Sequence, residues 1–153
     1  MTGLTNDYLE KLSKKLLGKK LFLGVFSANE AITDCLVPQS SLIFNTGQLG
    51  EPGIHFISIF VTKSVIYYFD SFGNQDIQSN IKRFIKKMNM RCKMLCKPIQ
   101  HINSNFCGFY ALAFLLWMRK KRNPYAFYDL FLSTSLKSND HLVTKFIIKE
   151  IHS

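Results

Sequence analysis

The stretch "INSNFCGFYALAFLLWM", residues 102–118, decides the fold, because short polar residues give way within it to a long apolar run. The apolar part, residues 106–118, is shorter than the roughly 20 residues that a membrane-spanning helix needs. We therefore expect a helix buried in the core of a globular domain. Cys107 lies at its start, either as a small hydrophobic residue of the core or as a nucleophile.

A position in the first turn of a helix suits a reactive thiol. If Asn105 caps the helix, Cys107 lies where unpaired backbone amides and the helix dipole favour an anion. The thiolate is the reactive form of cysteine, and the neighbouring Gly108 leaves room for a substrate backbone. Cysteine is also among the most frequently buried residue types, so Cys107 taken alone fits a core position better.

The rest of the chain combines helical periods at both ends with β-branched and aromatic runs in the middle, which predicts an α+β domain. The runs 54–61 and 64–70 are separated only by Thr62 and Lys63, so we expect an antiparallel hairpin there. Expected helices cover residues 5–17, 76–89, 106–118 and 140–151, with another beginning at Asn123 and Pro124; expected strands cover 22–26, 41–46, 54–61, 64–70 and 91–99.

Chain length and net charge limit the classes of protein to which the chain can belong. The chain has 153 residues, 47% of them hydrophobic, which indicates one globular domain over residues 1–153. Its net charge of +10 would attract polyanions, nucleic acid first among them, although a solvated basic surface is the alternative. The polar N-terminus predicts no signal peptide, and four cysteines indicate a reducing, intracellular setting rather than a disulfide scaffold. The candidate DNA contacts are Lys82, Arg83, Lys86, Lys87, Arg119, Lys120, Lys121 and Arg122.

Three further residues complete a possible catalytic set with Cys107. His55 lies in an apolar strand, where a lone histidine is more often a core residue than a base. Asp70 ends the partner strand, so the hairpin turn brings it back towards His55, although a plain turn residue is the alternative. Gln100, seven residues before the cysteine, could donate to an oxyanion together with the Cys107 backbone amide. Together these residues have the parts of a thiol hydrolase.

A competing interpretation uses the same segment as a metal site. Cys92, Cys96, His101 and Cys107 have a spacing close to that of a zinc knuckle, and a basic protein with a knuckle would bind nucleic acid. The spacing is off by one at both ends, and the segment lacks the glycines that let a short loop wrap a metal ion. No metal is therefore expected here.

Over most of its length the chain resembles the adenovirus endopeptidase (adenain) family, whose clan also holds the ubiquitin-like-protein proteases. "GIHFISIF", residues 53–60, looks like the segment of the catalytic histidine, and "YYFDSFGNQD", residues 67–76, like that of the acid. "QHINSNFCGFYALAF", residues 100–114, looks like the oxyanion glutamine and the nucleophile. The six residues between Gln100 and Cys107 suit adenain, whereas ubiquitin-like-protein proteases usually have five.

The resemblance implies an adenain-type cysteine protease fold of the papain-like clan, with a central mixed sheet and flanking helices. It implies the triad Cys107, His55 and Asp70, an oxyanion hole at Gln100, and cleavage of capsid or core precursors during virion maturation. DNA and a short activating peptide are its implied partners, with Cys92 or Cys96 as a possible disulfide link, and no membrane is involved. The implied location is the virion and the host cell nucleus. A ubiquitin-like-protein protease of the same clan is the alternative.

The sequence departs from the family in three respects. Phe56 stands where the family commonly has Trp after the histidine, and Asp70 stands where adenain usually has Glu. The chain is also shorter than adenain, mostly beyond the central helix.

Overall fold

A mixed sheet of five strands with helices on both faces forms the core of the protein, shown here by a computed structural model. The structure describes residues 5–27, 29–32, 36–46, 55–121, 123–131 and 135–153. The elements are α1 (Asn6–Leu17), β1 (Phe22–Ser27), β2 (Ser41–Asn45), β3 (Phe56–Val61), β4 (Val65–Phe69), α2 (Ser79–Met88), β5 (Arg91–Leu95), α3 (Cys107–Lys121), a 3-10 helix (Tyr125–Phe131) and α4 (Leu136–Ile151). The predicted α+β architecture is confirmed.

The strands lie in the sheet in chain order, β1-β2-β3-β4-β5. The inner pairs β2–β3 and β3–β4 are antiparallel, and the outer pairs β1–β2 and β4–β5 are parallel. The predicted hairpin is confirmed as β3–β4. Its turn is closed by Thr62, whose hydroxyl donates to the carbonyl of Val65 over 2.8 Å and accepts the amide of Val65 over 3.0 Å.

Each face of the sheet supports its own hydrophobic core. α2 covers one face with Ile81 and Phe84, which pack against β2, β3 and β4. α1, α3, α4 and the 3-10 helix cover the other face.

α2 begins three residues later than expected and β5 is shorter than expected, but both elements occur where the sequence predicted them.

α3 is the central helix of the larger core. Its residues from Tyr110 to Leu116 are all buried, so it is apolar all round, as the sequence predicted for residues 106–118. Phe114 stacks on Phe69 of β4 with ring centroids 4.5 Å apart, and Phe127 of the 3-10 helix meets both rings edge-on. Among the helices formed by the described residues, none reaches the length and apolar character that crossing a membrane requires.

The C-terminal helix differs from its predicted extent. α4 begins at Leu136, four residues before the predicted start at Asp140. The additional turn is polar and gives no apolar period, which is why it could not be recognised. Its Asn139 is buried and donates to the carbonyl of Ile99 over 2.8 Å, so tertiary contacts form this turn. The helix predicted at Pro124 is a 3-10 helix, and Asn123 caps it as expected.

We expect Gly73→Ala to destabilise the protein more than Gly18→Ala. Both glycines have positive φ, +81° and +88°, so alanine at either position costs about 1–3 kcal/mol of backbone strain. A Cβ on Gly73 would also lie 2.9 Å from the backbone nitrogen of Pro98, whereas Gly18 has no atom within 4 Å. Overpacking should add about 1–3 kcal/mol at Gly73. Urea unfolding measures both losses, and equal losses would contradict the contact with Pro98.

Candidate active site

The hairpin β3–β4 brings His55 and Asp70 together. His55 directly precedes β3 and Asp70 directly follows β4, so both lie at the same end of the antiparallel pair. Nε2 of His55 lies 2.8 Å from Oδ1 of Asp70, a hydrogen-bonding distance. The side chain of His55 is 17% exposed and that of Asp70 only 3%. The sequence-predicted contact between these residues is therefore present, and it is largely shielded from solvent.

Hydrogen bonds of the backbone hold Asp70 and its carboxylate in place. The same Oδ1 accepts the amide of Phe72 over 2.8 Å, and the Asp70 amide donates to the carbonyl of Leu95 over 3.1 Å. The Phe72 ring packs on the His55 imidazole with centroids 4.5 Å apart. The carboxylate thus has one orientation, and the imidazole is held against it.

Cys107 lies beside the imidazole of His55, at the start of α3. It is the first residue of α3, as predicted, and is 5% exposed. Its thiol interacts with His55, and since Asp70 takes Nε2, the nitrogen left for Cys107 is Nδ1. Nδ1 of His55 is buried.

The environment of His55 favours the imidazolium form. Burial lowers the pKa of His55, but hydrogen bonds to Asp70 and Cys107 and the charges of both groups outweigh burial and raise that pKa from 6.5 to about 9. A protonated imidazole at neutral pH is the partner that a cysteine thiolate requires.

Gln100 is held at the site by two serines that the sequence analysis did not assign. Its Oε1 accepts the hydroxyl of Ser71, and its Nε2 donates to the carbonyl and to the hydroxyl of Ser104, each over 3.1 Å. The backbone carbonyl of Ser71 also accepts the amide of Gln100 over 3.1 Å. Gln100 is 2% exposed. Because Ser71 directly follows Asp70, these contacts tie the loop before α3 to the end of β4.

A pocket of about 650 Å³ opens beside these residues. The residues that line this pocket include His55, Asp70 and Gln100, and Ile102 and Leu136 add apolar surface. Ile102 is 82% exposed. A peptide side chain could enter this pocket with its backbone beside the imidazole.

The cysteines of β5 and the loop after it do not build a metal site. Among the described residues, Cys92, Cys96, His101 and Cys107 included, no three histidine, cysteine, aspartate or glutamate residues form a group that could hold a metal ion. The zinc-knuckle alternative therefore has no structural support.

Burial raises the pKa of Cys92, and burial with the charges of Asp70 and Cys92 raises the pKa of Cys96 to about 11.

The predicted DNA contacts fall into two groups. Lys82, Arg83, Lys86 and Lys87 are exposed on the outer side of α2, and none of them forms an ion pair with another described residue. On α3, Arg119 donates to the carbonyl of Leu16 and Lys120 pairs with Glu150, so both already contact neighbouring helices. The Lys121 side chain and Arg122 lie outside the described residues.

Comparison with known proteins shows likeness of structure only. No protein-family model and no curated protein matches the chain. The crystal structure of ASFV pS273R protease matches with a TM-score of 0.68 and 16% identity over 95% of this chain, and its selenomethionine form matches with a TM-score of 0.58 and 17% identity, again over 95% of this chain. The structure of AvrA delL154 with IP6 and CoA matches with a TM-score of 0.51 and 15% identity over 92% of this chain.

The chain spans 66% of pS273R protease in both of its structures and 54% of AvrA. The chain therefore has a fold similar to that of pS273R protease. The finer assignment to the adenain family stays a prediction.

We expect the pKa of His55 to lie near 9 in the folded protein and to fall towards 6.5 or below in Asp70→Asn. Without the carboxylate, burial dominates and disfavours the imidazolium. NMR titration of the histidine rings measures this, with the exposed His141 as a reference that the substitution should leave unchanged. Since the folded pKa exceeds the ordinary value of 6.5, His55 should stabilise the fold fully below pH 6.5 and lose that contribution as pH rises through 9. A His55 titration that does not respond to Asp70→Asn would contradict the pairing.

Proposed function

We propose that the protein is a cysteine endopeptidase that uses Cys107, His55 and Asp70. The observation that carries this proposal is one buried imidazole that interacts both with the Asp70 carboxylate, at 2.8 Å, and with the thiol at the start of α3. An imidazole between an acid and a thiol is the arrangement that activates a cysteine nucleophile.

The proposed reaction begins with the Cys107 thiolate and the His55 imidazolium. The sulfur attacks the scissile carbonyl carbon, a C–S bond forms, and the carbonyl π electrons move onto oxygen. Nε2 of Gln100 and the Cys107 backbone amide stabilise this oxyanion. The C–N bond then breaks as His55 gives its proton to the leaving amine. His55 next takes a proton from water, the hydroxide attacks the thioester, and the sulfur leaves as thiolate. Asp70 stabilises the imidazolium throughout.

The proposed substrates are structural precursor proteins of a virus, cleaved during virion maturation beside glycine. The shared fold with ASFV pS273R protease supports a viral protease. AvrA, solved with CoA, has a similar fold, so transfer of an acyl group from CoA is the outcome that an assay must separate from peptide cleavage.

DNA is proposed as a partner through α2. Its four cations form no ion pair with another described residue and lie on the outer side of a helix whose inner side packs on the sheet, so they form one basic face. Contacts of this kind are made to phosphates and do not depend on base sequence.

An activating peptide is proposed at β5, which lies at one edge of the sheet. A peptide strand can add to such an edge through backbone hydrogen bonds. Of the two candidate linking residues, Cys92 lies within the strand itself and Cys96 follows it. Burial raises the pKa of both thiols, that of Cys96 to about 11, which leaves little thiolate for disulfide exchange.

We expect iodoacetamide to alkylate Cys107 at pH 7 at least about ten-fold faster than Cys96, because a thiolate beside an imidazolium is the reactive species. Cys96 is the internal control, since its raised pKa keeps it protonated at that pH. Peptide mass spectrometry after timed labelling measures both rates. His55→Ala should remove the advantage of Cys107, and equal labelling in the unaltered protein would contradict an activated thiol.

The matching activity assay uses peptides with glycine at the scissile bond, and Cys107→Ser should abolish cleavage. Acetyl transfer from acetyl-CoA to protein, with no cleavage of any peptide, would overturn the endopeptidase proposal.

We expect binding to double-stranded DNA to weaken steeply with salt and to lose part of that dependence when Lys82, Arg83, Lys86 and Lys87 are changed to Gln. The slope of log K against log salt should fall by about 0.9 for each phosphate that is no longer neutralised. Fluorescence anisotropy at several salt concentrations measures the slopes. The control changes Lys11, Lys14, Lys15 and Lys19 to Gln, which removes the same charge elsewhere. An equal effect of both sets would mean that net charge, not the face of α2, governs binding.

A further inference from the structure

A carboxylate of α4 reaches the loop that carries Gln100. Oδ1 of Asp140 accepts the hydroxyl of Ser104 over 2.9 Å and the hydroxyl of Tyr110 over 2.8 Å. Tyr110 is fully buried in α3, one turn after Cys107. Asp140 therefore connects the helix of the proposed nucleophile to the loop of the proposed oxyanion donor, although it lies 36 positions after Ser104.

The Ser104 hydroxyl has only one hydrogen to donate, and the carboxylate can only accept. Because that hydrogen goes to Asp140, the oxygen is left to accept from its other neighbours. It does so from Nε2 of Gln100 over 3.1 Å and from the amide of Phe106 over 3.2 Å. The charge on Asp140 thereby sets the direction of every hydrogen bond at the Ser104 hydroxyl.

The direction of these bonds decides which end of the Gln100 amide faces Ser104. Both Ser104 oxygens in contact with Gln100 act as acceptors, so the group that meets them must be the NH2 group. At the other end, Oε1 accepts from Ser71. The two ends have nearly the same shape, so hydrogen bonds and not packing distinguish the two orientations.

We propose that Asp140 is a positioning residue that, through Ser104, keeps the Gln100 amide turned so that an N–H and not the carbonyl meets the oxyanion. This inference rests on the proposed function. Nε2, the end of the amide that meets the two Ser104 oxygens, is then the end that donates to an oxyanion in the pocket that Gln100 lines. The reversed amide would present a carbonyl oxygen to a negative charge and oppose the reaction.

Asp140→Asn tests the inference with little change in shape. An asparagine can donate as well as accept, so the direction of the bond at the Ser104 hydroxyl is no longer fixed. The Ser104 carbonyl alone then favours the NH2 end of Gln100, and part of the Gln100 population should reverse. We expect kcat to fall about ten-fold with KM within two-fold, less than the 10²–10³ lost when an oxyanion donor is removed entirely. Ser104→Ala, a small change in a half-buried loop, should give a similar loss. Because both act through one amide, the double variant should lose little more than either single variant.

The control variant is Tyr110→Phe, which removes the other bond to Asp140 without touching Gln100; kcat should stay within two-fold of the unaltered protein. A second readout does not depend on activity. The side-chain 15N resonance of Gln100, assigned by its absence in Gln100→Met, should shift and its protons exchange faster in Asp140→Asn and Ser104→Ala, and not in Tyr110→Phe.

The outcomes separate the inference from the function on which it rests. A Gln100 resonance unchanged by Asp140→Asn overturns the positioning role whatever the kinetics show, and so do fully additive losses in the double variant. If the unaltered protein cleaves no peptide, the proposed function fails, while the amide resonance still decides whether Asp140 orients Gln100.

Discussion

The burial of α3 between the sheet and the other helices is the constraint on which the rest of the structure depends. A helix with apolar residues on all sides is stable only when it is surrounded, and here β3, α1, α4 and the 3-10 helix surround it. A helix packed on all sides cannot slide or rotate without disrupting that packing. Its first residue, Cys107, is therefore fixed relative to the sheet, and so is its distance from the end of the β3–β4 hairpin.

The direction of the hydrogen bonds around the proposed catalytic residues matters for the chemistry as much as the positions of the side chains do. A basic protein of net charge +10 has few carboxylates, and two of them, Asp70 and Asp140, lie within one connected set of bonds around the proposed chemistry. Asp70 fixes a proton on one side of the imidazole, and Asp140 fixes the hydroxyl proton of Ser104. Charged acceptors in partly buried places make strong hydrogen bonds, so each imposes its preference on neutral neighbours.

The sequence predicted the parts of the site that depend on local order along the chain. His55 and Asp70 flank two apolar runs joined by a short turn, so their meeting follows from the hairpin alone. The position of Cys107 at the start of a buried helix follows from the length of the apolar run. The contacts of Gln100 with Ser71 and Ser104 were not predicted, because serines give no periodic signal. Asp140 could not be found either, since the first turn of α4 is polar and is formed by its contacts with the loop before α3.

The position of β5 at the edge of the sheet has a consequence for how copies of the chain meet. An edge strand exposes backbone donors and acceptors to which a second copy could pair, and such pairing leads to aggregation. β5 carries Arg91 and Lys93, and Lys97 follows it. Two copies meeting edge to edge would bring these cations together and repel each other, whereas an acidic chain would not be repelled. Part of the positive charge that suggests DNA therefore also opposes the pairing of two copies through their β5 edges.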